Sequence, residues 1–169
     1  MEQYTSSYVE FVCNNFNAST RILEIGAGYH STNVFSKYFA KVHSIENNQD
    51  FIGLYNSNYI HCELNPITGW YENDQLRSAL TFDYDLIILD GPEGLYRPPF
   101  LLPPLMVVRA GFFYISWPLW KKGIPIIIDD TDRPWIEKGL AQLISREGYQ
   151  LISHNGFSLL IPNASVQAT

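Results

Sequence analysis

Short apolar runs alternate with longer amphipathic segments along the chain. The apolar runs predict strands over residues 22–25, 42–46, 59–64, 84–90 and 124–129. The amphipathic segments predict helices over residues 4–16, 48–56, 74–80 and 105–115, and a further helix that begins at Ser31 or Thr32. This alternation indicates an α/β fold, in which nearly all-apolar strands run parallel and are covered on both faces.

The C-terminal part of the chain predicts one more helix and a hairpin. Asp132 can cap a helix that Gly148 closes. Two final strands over residues 149–153 and 157–161 are separated by a segment that contains Asn-Gly, a strong signal for a tight hairpin. These two strands are therefore expected to be antiparallel neighbours in the sheet.

Composition and charge narrow the class of protein. The chain has 169 residues, of which 46% are hydrophobic, and this size predicts one domain over residues 1–169. With 11 basic and 17 acidic residues the net charge is −6, so we expect no nucleic acid as a partner. The two cysteines, Cys13 and Cys62, are too few for a disulfide framework. Because the N-terminus also lacks a signal-peptide pattern, the predicted location is the cytoplasm.

Residues 98–120 form an aromatic-rich segment whose only charged residue is Arg109. The segment is long enough to cross a bilayer, but its five prolines would leave backbone groups unpaired in lipid. We therefore expect no membrane partner. So much apolar surface must be covered by the fold, by a substrate or by a second subunit, and a homodimer through residues 98–120 is one expectation.

A glycine-rich turn, Gly26-Ala27-Gly28, follows the first strand and opens the next helix. In this setting the backbone can approach a nucleotide closely. A nicotinamide-binding fingerprint would have a third glycine at position 31, where this chain has Ser31. Glu24 precedes the turn on a strand expected to be buried, so its carboxylate needs either a ligand or neighbouring loop amides as partners.

Glu46 ends the second strand, about twenty residues after the turn. An acidic side chain at this place can accept hydrogen bonds from both hydroxyls of a ribose. The alternative is a solvated carboxylate at the end of a strand. Together with the turn, Glu46 favours a nucleotide site.

Over residues 21–162 the chain resembles the class I S-adenosylmethionine-dependent methyltransferases. That resemblance implies a single doubly wound, Rossmann-like sheet of seven strands with an antiparallel C-terminal hairpin. It also implies S-adenosylmethionine as cofactor and methyl donor. The cofactor-binding positions of the family fall on Glu24, Gly26, Ala27, Gly28, Ser31, Glu46 and Glu63, the last as an acidic residue that meets the adenine.

Two subgroups of that superfamily are similar to this chain around Asp90 and around residues 126–133. One comprises metal-dependent O-methyltransferases of the catechol and caffeoyl type, and the other methylates sugars of plant cell-wall polysaccharides (glucuronoxylan type). The first subgroup implies a divalent ion, Mg²⁺ or another, held by Asp90, Asp129 and Asp130. The chain departs from it at Asp130, where Asn is usual, and at Glu93, where Lys is usual. The implied catalytic residues are Asp90, Glu93, Asp129 and Asp130.

The chemistry of these carboxylates also follows from their positions. Strands that run parallel bring their carboxyl ends to one edge of the sheet, so acidic residues that end different strands converge there. Clustered carboxylates need a divalent cation, a shared proton, or pairing with Arg97 or Arg133. A metal would lower the pKa of a substrate hydroxyl, whereas a carboxyl of raised pKa can act as general base. In a plainer interpretation, Asp130 and Asp132 are turn and cap residues that pair with Arg133.

The residues together predict a methyltransferase that modifies an oxygen on a small molecule or a sugar hydroxyl. The expected partner is therefore a small-molecule or glycan substrate. Two alternatives stay open: a non-catalytic nucleotide-binding module on the same scaffold, and an NAD(P)-dependent oxidoreductase.

Overall fold

The computed structural model describes residues 7–92, 109, 111–131, 144 and 148–163. The strands are β1 Arg21–Ile25, β2 Lys41–Glu46, β3 Asn58–His61, β4 Leu86–Leu89, β5 Ile126–Asp129, β6 Tyr149–Ser153 and β7 Phe157–Pro162. The helices are α1 Ser7–Asn15, α2 Ser31–Tyr38, α3 Asn73–Ala79 and α4 Gly111–Tyr114. Short 3₁₀ turns cover Gln49–Phe51 and Trp117–Leu119.

All seven strands form one sheet in the order β3-β2-β1-β4-β5-β7-β6. Strands β1 to β5 pair in parallel, and β7 inserts antiparallel between β5 and β6. This confirms the predicted seven-stranded α/β sheet and its antiparallel C-terminal hairpin. Chain order reverses between β1 and β4, which makes their carboxyl ends the switch point at which open sheets of this kind bind ligands.

The register aligns the ends of the central strands. Ile25 pairs with Ile45 on one side and with Leu89 on the other, and Leu89 pairs with Ile128. The residues that follow these positions therefore meet at one edge of the sheet, as the sequence predicted. The register in this way places the glycine turn beside the acidic residues that end β2, β4 and β5.

Two apolar layers cover the sheet. On one face, α1 and α2 pack Tyr8, Val12 and Phe35 against strand residues such as Ile22 and Ile88. The other face is covered by a larger cluster that includes Leu23, Ile87, Trp70, Leu76, Phe112 and Trp120. Both faces are thus buried, which fits the wholly apolar β4 and the run of three isoleucines that begins β5.

Four aromatic residues of the segment 111–120, Phe112, Phe113, Trp117 and Trp120, are buried by the chain itself. Phe112, Phe113 and Trp117 pack into the larger apolar cluster, and the indole N–H groups of Trp70 and Trp120 both donate to Ser116 Oγ. The expected burial is confirmed for these residues, and residues 98–108, including Phe100, lie outside the described part of the chain. Within the described residues, no helix is long and apolar enough to cross a bilayer.

The predicted helix over 48–56 is wrong. Only Gln49–Phe51 form a 3₁₀ turn, which Asn48 caps by accepting a hydrogen bond from the Asp50 N–H. Gly53 then adopts φ +82°, which a helix does not allow. These local contacts override the apolar spacing that suggested a helix.

For other elements, the predicted boundaries differ less from those in the structure. Strand β3 ends at His61 rather than at Leu64, which instead forms an isolated antiparallel bridge with Tyr71. Of the predicted helix over 105–115, the described part is Gly111–Tyr114. The helix predicted after Asp132 falls outside the described residues except for Ile144, which is buried, and Gly148. Cys13 and Cys62 are free thiols.

Candidate functional site

The glycine turn after β1 packs directly against the turn after β4. Gly26 has φ +92°, and a Cβ atom built on it would lie 2.5 Å from the Cα atom of Gly91. The Ile25 carbonyl accepts hydrogen bonds from the N–H groups of Asp90 (2.9 Å) and Gly91 (2.7 Å). Only glycine fits this approach of two backbones, so the two turns form one unit.

Glu46 is buried and holds the glycine turn from the β2 side. Its Oε2 accepts a hydrogen bond from the Ala27 N–H at 2.9 Å. Its Oε1 accepts from the N–H groups of Asn47 (2.8 Å) and Asn48 (2.6 Å). Glu46 is therefore not a solvated carboxylate at a strand end, and the predicted proximity of Glu46 to the glycine turn is confirmed.

Glu24, on β1, supports the same turn through two hydroxyl groups. Its side chain is 0% exposed, and Oε2 accepts hydrogen bonds from Thr32 Oγ1 and Ser44 Oγ, both at 2.7 Å. Thr32 Oγ1 in turn accepts from the Gly28 N–H at 2.9 Å. The carboxylate thus fixes the turn indirectly, whereas the sequence suggested a ligand or loop amides as its direct partners.

Two buried polar atoms beside the turn lack hydrogen-bond partners among the described residues. They are Glu24 Oε1 and Ser31 Oγ. Burial raises the pKa of Glu24 to about 7, although the Ser31, Thr32 and Ser44 hydroxyls oppose that rise. A Cβ atom built on Gly28 would meet only Ser31 Oγ, at 3.6 Å. The turn therefore has room for a small group at Gly28, next to the Ser31 hydroxyl.

Glu63 follows β3 and its side chain is exposed. Its backbone N–H donates to Gln75 Oε1 at 2.7 Å, and its carbonyl accepts from the Glu72 N–H at 2.9 Å. These contacts fix the connection between β3 and α3. The suggested adenine contact of Glu63 stays a prediction.

Asp90, which follows β4, contacts a tyrosine and an arginine that the sequence did not identify as its partners. The Tyr8 hydroxyl on α1 donates to Asp90 Oδ2 at 2.6 Å, and Tyr8 is buried. Arg109 Nη2 lies 3.4 Å from Asp90 Oδ1 and donates to the Asp90 carbonyl at 2.7 Å. Both oxygens of this carboxylate are thus in contact with donors.

Arg109 also contacts the end of β5. Its Nη1 donates to the Asp129 carbonyl at 2.5 Å, and its Nη2 lies 3.2 Å from Asp130 Oδ2. Asp130 adopts φ +57°, a left-handed conformation that Asp tolerates better than most residues. The predicted convergence of Asp90, Asp129 and Asp130 is confirmed, with Arg109 as the arginine among them. Glu93, Arg97, Asp132 and Arg133 lie outside the described residues.

The carboxyl groups of Asp90 and Asp129 influence each other's protonation. Burial, followed by the neighbouring charge of Asp90, raises the pKa of Asp129 to about 7. Burial also raises the pKa of Asp90, although the hydrogen bond from Tyr8 and the charge of Arg109 oppose that rise. With a pKa of about 7, Asp129 is partly protonated at neutral pH.

The three carboxylates do not fit a divalent metal as they are arranged. No group of three or more His, Cys, Asp and Glu side chains among the described residues is placed to hold one. The physical reason is that Tyr8 and Arg109 already contact the oxygens of Asp90, and Arg109 also pairs with Asp130. These contacts argue against a metal there, and the metal site at Asp90, Asp129 and Asp130 stays a prediction.

Sequence reasoning missed Tyr8, Thr32, Ser44 and Arg109. Tyr8 fitted the apolar stripe of α1, and its hydroxyl has no sequence signal that identifies a partner. Arg109 had one available signal, because it is the only charged residue of 98–120. An isolated charge in an apolar segment needs a buried partner. Asp90, Asp129 and Asp130, which together form the acidic edge of the sheet, supply it.

No protein-family model and no curated protein sequence matches the chain. Similar solved structures do exist. MycE methyltransferase from the mycinamycin biosynthetic pathway, in complex with Mg and SAH, aligns with 95% of this chain at a TM-score of 0.58 and 16% identity. The chain spans 46% of the length of MycE, about half.

Two further structures match over most of their own length. A methyltransferase-like protein from Silicibacter pomeroyi aligns with 99% of this chain and 93% of its own, at TM-score 0.57 and 15% identity. Magnesium protoporphyrin IX methyltransferase (ChlM) from Synechocystis PCC 6803, with bound SAM, aligns with 94% of this chain and 76% of its own, at TM-score 0.57 and 12% identity. The chain therefore has the Rossmann-like methyltransferase fold.

Proposed function

We propose that the chain binds S-adenosylmethionine at the glycine turn and transfers its methyl group to an oxygen of a small molecule or a sugar hydroxyl. The fold shared with SAM-bound ChlM and SAH-bound MycE supports this proposal. The whole of residues 1–169 then belongs to one such domain. The hydrogen bonding of the glycine turn supports the proposal more strongly.

The observation that carries the proposal is that the amides of the glycine turn are used inside the protein. Gly26 N–H donates to the Ile45 carbonyl, Ala27 N–H to Glu46 and Gly28 N–H to Thr32. A dinucleotide site needs such amides free to bind a pyrophosphate. Here the turn is braced by carboxylates, which repel phosphates. This disfavours NAD(P) and favours a cationic ligand.

S-adenosylmethionine has the matching chemistry, since it carries a sulfonium, an ammonium group and ribose hydroxyls. Glu46 is the proposed acceptor for the ribose hydroxyls, because it ends β2 next to the turn. Ser31 Oγ beside Gly28, and Glu24 Oε1 at the end of β1, are buried polar atoms without a hydrogen-bond partner among the described residues. A donor reaching these atoms, directly or through a bound water, would relieve their unsatisfied burial.

The acidic edge is the proposed place of the acceptor hydroxyl. When bound, S-adenosylmethionine supplies an electrophilic methyl group. Asp129, with a pKa of about 7, is partly deprotonated at neutral pH and can take a proton from a hydroxyl. Tyr8 and Arg109 hold the neighbouring Asp90 in a fixed orientation. The main tasks of the protein are then to position the acceptor and to accept its proton.

The test combines the product S-adenosylhomocysteine with two substitutions of Gly28. At about 100 times its Kd the ligand should stabilise the wild-type fold by about 2.7 kcal/mol, or roughly 5–10 °C in Tm. Gly28→Val should abolish this shift by filling the open space beside the turn. Gly28→Ala is the matched control, because its Cβ meets only Ser31 Oγ at ordinary contact distance, so the Tm without ligand should stay close to wild type.

Two results would overturn the proposal. One is a full ligand-induced shift that persists in Gly28→Val, which would place the ligand elsewhere. The other is a shift produced by NAD⁺ but not by S-adenosylhomocysteine. A non-catalytic binding module would instead bind S-adenosylhomocysteine normally while transferring no methyl group to any hydroxyl acceptor.

A further inference from the structure

Among the described residues, four oxygen atoms surround the guanidinium of Arg109. It contacts the backbone carbonyls of Asp90 and Asp129 at 2.7 and 2.5 Å, and carboxylate oxygens of Asp90 and Asp130 at 3.4 and 3.2 Å. Carbonyl and carboxylate oxygens are the donors that hard divalent cations prefer. In this chain a side chain of the protein itself, that of Arg109, lies between these oxygen atoms.

The arrangement is built into the fold rather than formed at its surface. The Arg109 side chain is only 15% exposed, and that of Asp90 is 25% exposed. The two carbonyls belong to residues at the ends of adjacent parallel strands, β4 and β5. A planar guanidinium with several N–H donors can join both strand ends at once, which an ammonium cannot do in the same way.

We propose that Arg109 is the resident cation of this acidic edge and takes the role that a divalent metal would otherwise have. Its charge offsets Asp90 and Asp130, while its N–H groups use the oxygens that a metal would need. Tyr8 completes the arrangement by donating to the remaining oxygen of Asp90. Arg109 is a positioning residue in this scheme, and it excludes divalent ions from the cluster by like charge and by occupancy.

The test measures Mn²⁺ binding directly, from the electron paramagnetic resonance signal of the free ion. Wild-type protein should bind no stoichiometric Mn²⁺ at about 1 mM, a concentration at which a cluster of free carboxylates would bind it. In Arg109→Gln the positive charge is lost while the size is kept, and Mn²⁺ should bind one per chain, at least about tenfold tighter. Asp90→Asn added to Arg109→Gln should remove the gained binding.

Three controls isolate the arginine. Arg109→Lys keeps the charge and should exclude Mn²⁺ as wild type does. Arg77→Gln removes an exposed arginine on α3 that pairs with Asp74, and it should gain no binding. Tyr8→Phe frees one oxygen of Asp90 but leaves Arg109 in place, so it should also gain none.

Stoichiometric Mn²⁺ binding by the wild-type protein would overturn the proposal, and so would a folded Arg109→Gln variant that gains none. If Arg109→Gln does not fold, the wild-type titration alone still decides. The same samples are titrated with S-adenosylhomocysteine, so failure of the cofactor proposal is seen separately. A further readout rests on the proposed function: methyl transfer by the wild-type chain should be unchanged by EDTA.

Discussion

Replacing Glu24 with Gln should change how the stability of the protein depends on pH. Glu24 is completely buried, and burial raises its pKa from 4.5 to about 7. The folded protein therefore holds this proton more tightly than the unfolded chain does. The Glu24 contribution to stability is complete below pH 4.5 and is lost as pH rises through about 7.

The magnitude follows from the two pKa values. Between pH 5 and pH 8, the wild-type protein should lose roughly 2–3 kcal/mol of unfolding free energy through Glu24 alone. Gln cannot titrate, so the Glu24→Gln variant lacks this loss. Its amide oxygen can still accept from Thr32 and Ser44, while its NH₂ group replaces an oxygen that has no partner. That exchange shifts stability by a constant that does not depend on pH.

The assay is urea unfolding at both pH values, with the free energy extrapolated to water. The stability of Glu24→Gln relative to wild type should rise by roughly 2–3 kcal/mol from pH 5 to pH 8. Glu10→Gln, which changes an exposed carboxylate on α1, is the control and should follow the wild-type profile. A difference between Glu24→Gln and wild type that is the same at both pH values would refute the reasoning, because Glu24 would then not titrate in this range.

Three substitutions test the packing around the turns. Gly26→Ala places a Cβ atom 2.5 Å from Gly91 at a φ of +92°, so it should destabilise by roughly 2–5 kcal/mol. Gly28→Ala should cost under about 1 kcal/mol in the same urea assay, and equal losses would contradict the back-to-back contact. Tyr8→Phe removes the donor to Asp90 and should cost roughly 1.5–3 kcal/mol at pH 8. A loss below about 0.5 kcal/mol would show that this hydrogen bond contributes little.

The sheet could be predicted from the sequence because its signals are local. The central strands β4 and β5 are short and nearly continuous apolar runs, because both faces of the sheet are covered there. The hairpin of β6 and β7 depended on an Asn-Gly dipeptide, which specifies its turn through local backbone preference. The convergence of Glu24, Glu46 and Asp90 then followed from the rule that parallel strands share one carboxyl edge.

What could not be predicted depends on contacts between distant side chains. Tyr8 is 82 residues from Asp90 in sequence, and Arg109 reaches both β4 and β5. Apolar periodicity places a helix on a sheet but does not specify which hydroxyl or guanidinium meets which carboxylate. The wrong prediction of a helix over 48–56 has a related cause. The Glu46 carboxylate accepts hydrogen bonds from the N–H groups of Asn47 and Asn48, which holds the chain in a turn there.

The most direct test of the central claim is calorimetric titration of the wild-type chain with S-adenosylhomocysteine and, separately, with NAD⁺. We expect one S-adenosylhomocysteine to bind per chain and no measurable heat with NAD⁺, because the amides of the turn are used internally and its neighbours are carboxylates. Stoichiometric binding of NAD⁺, with none of S-adenosylhomocysteine, would contradict it.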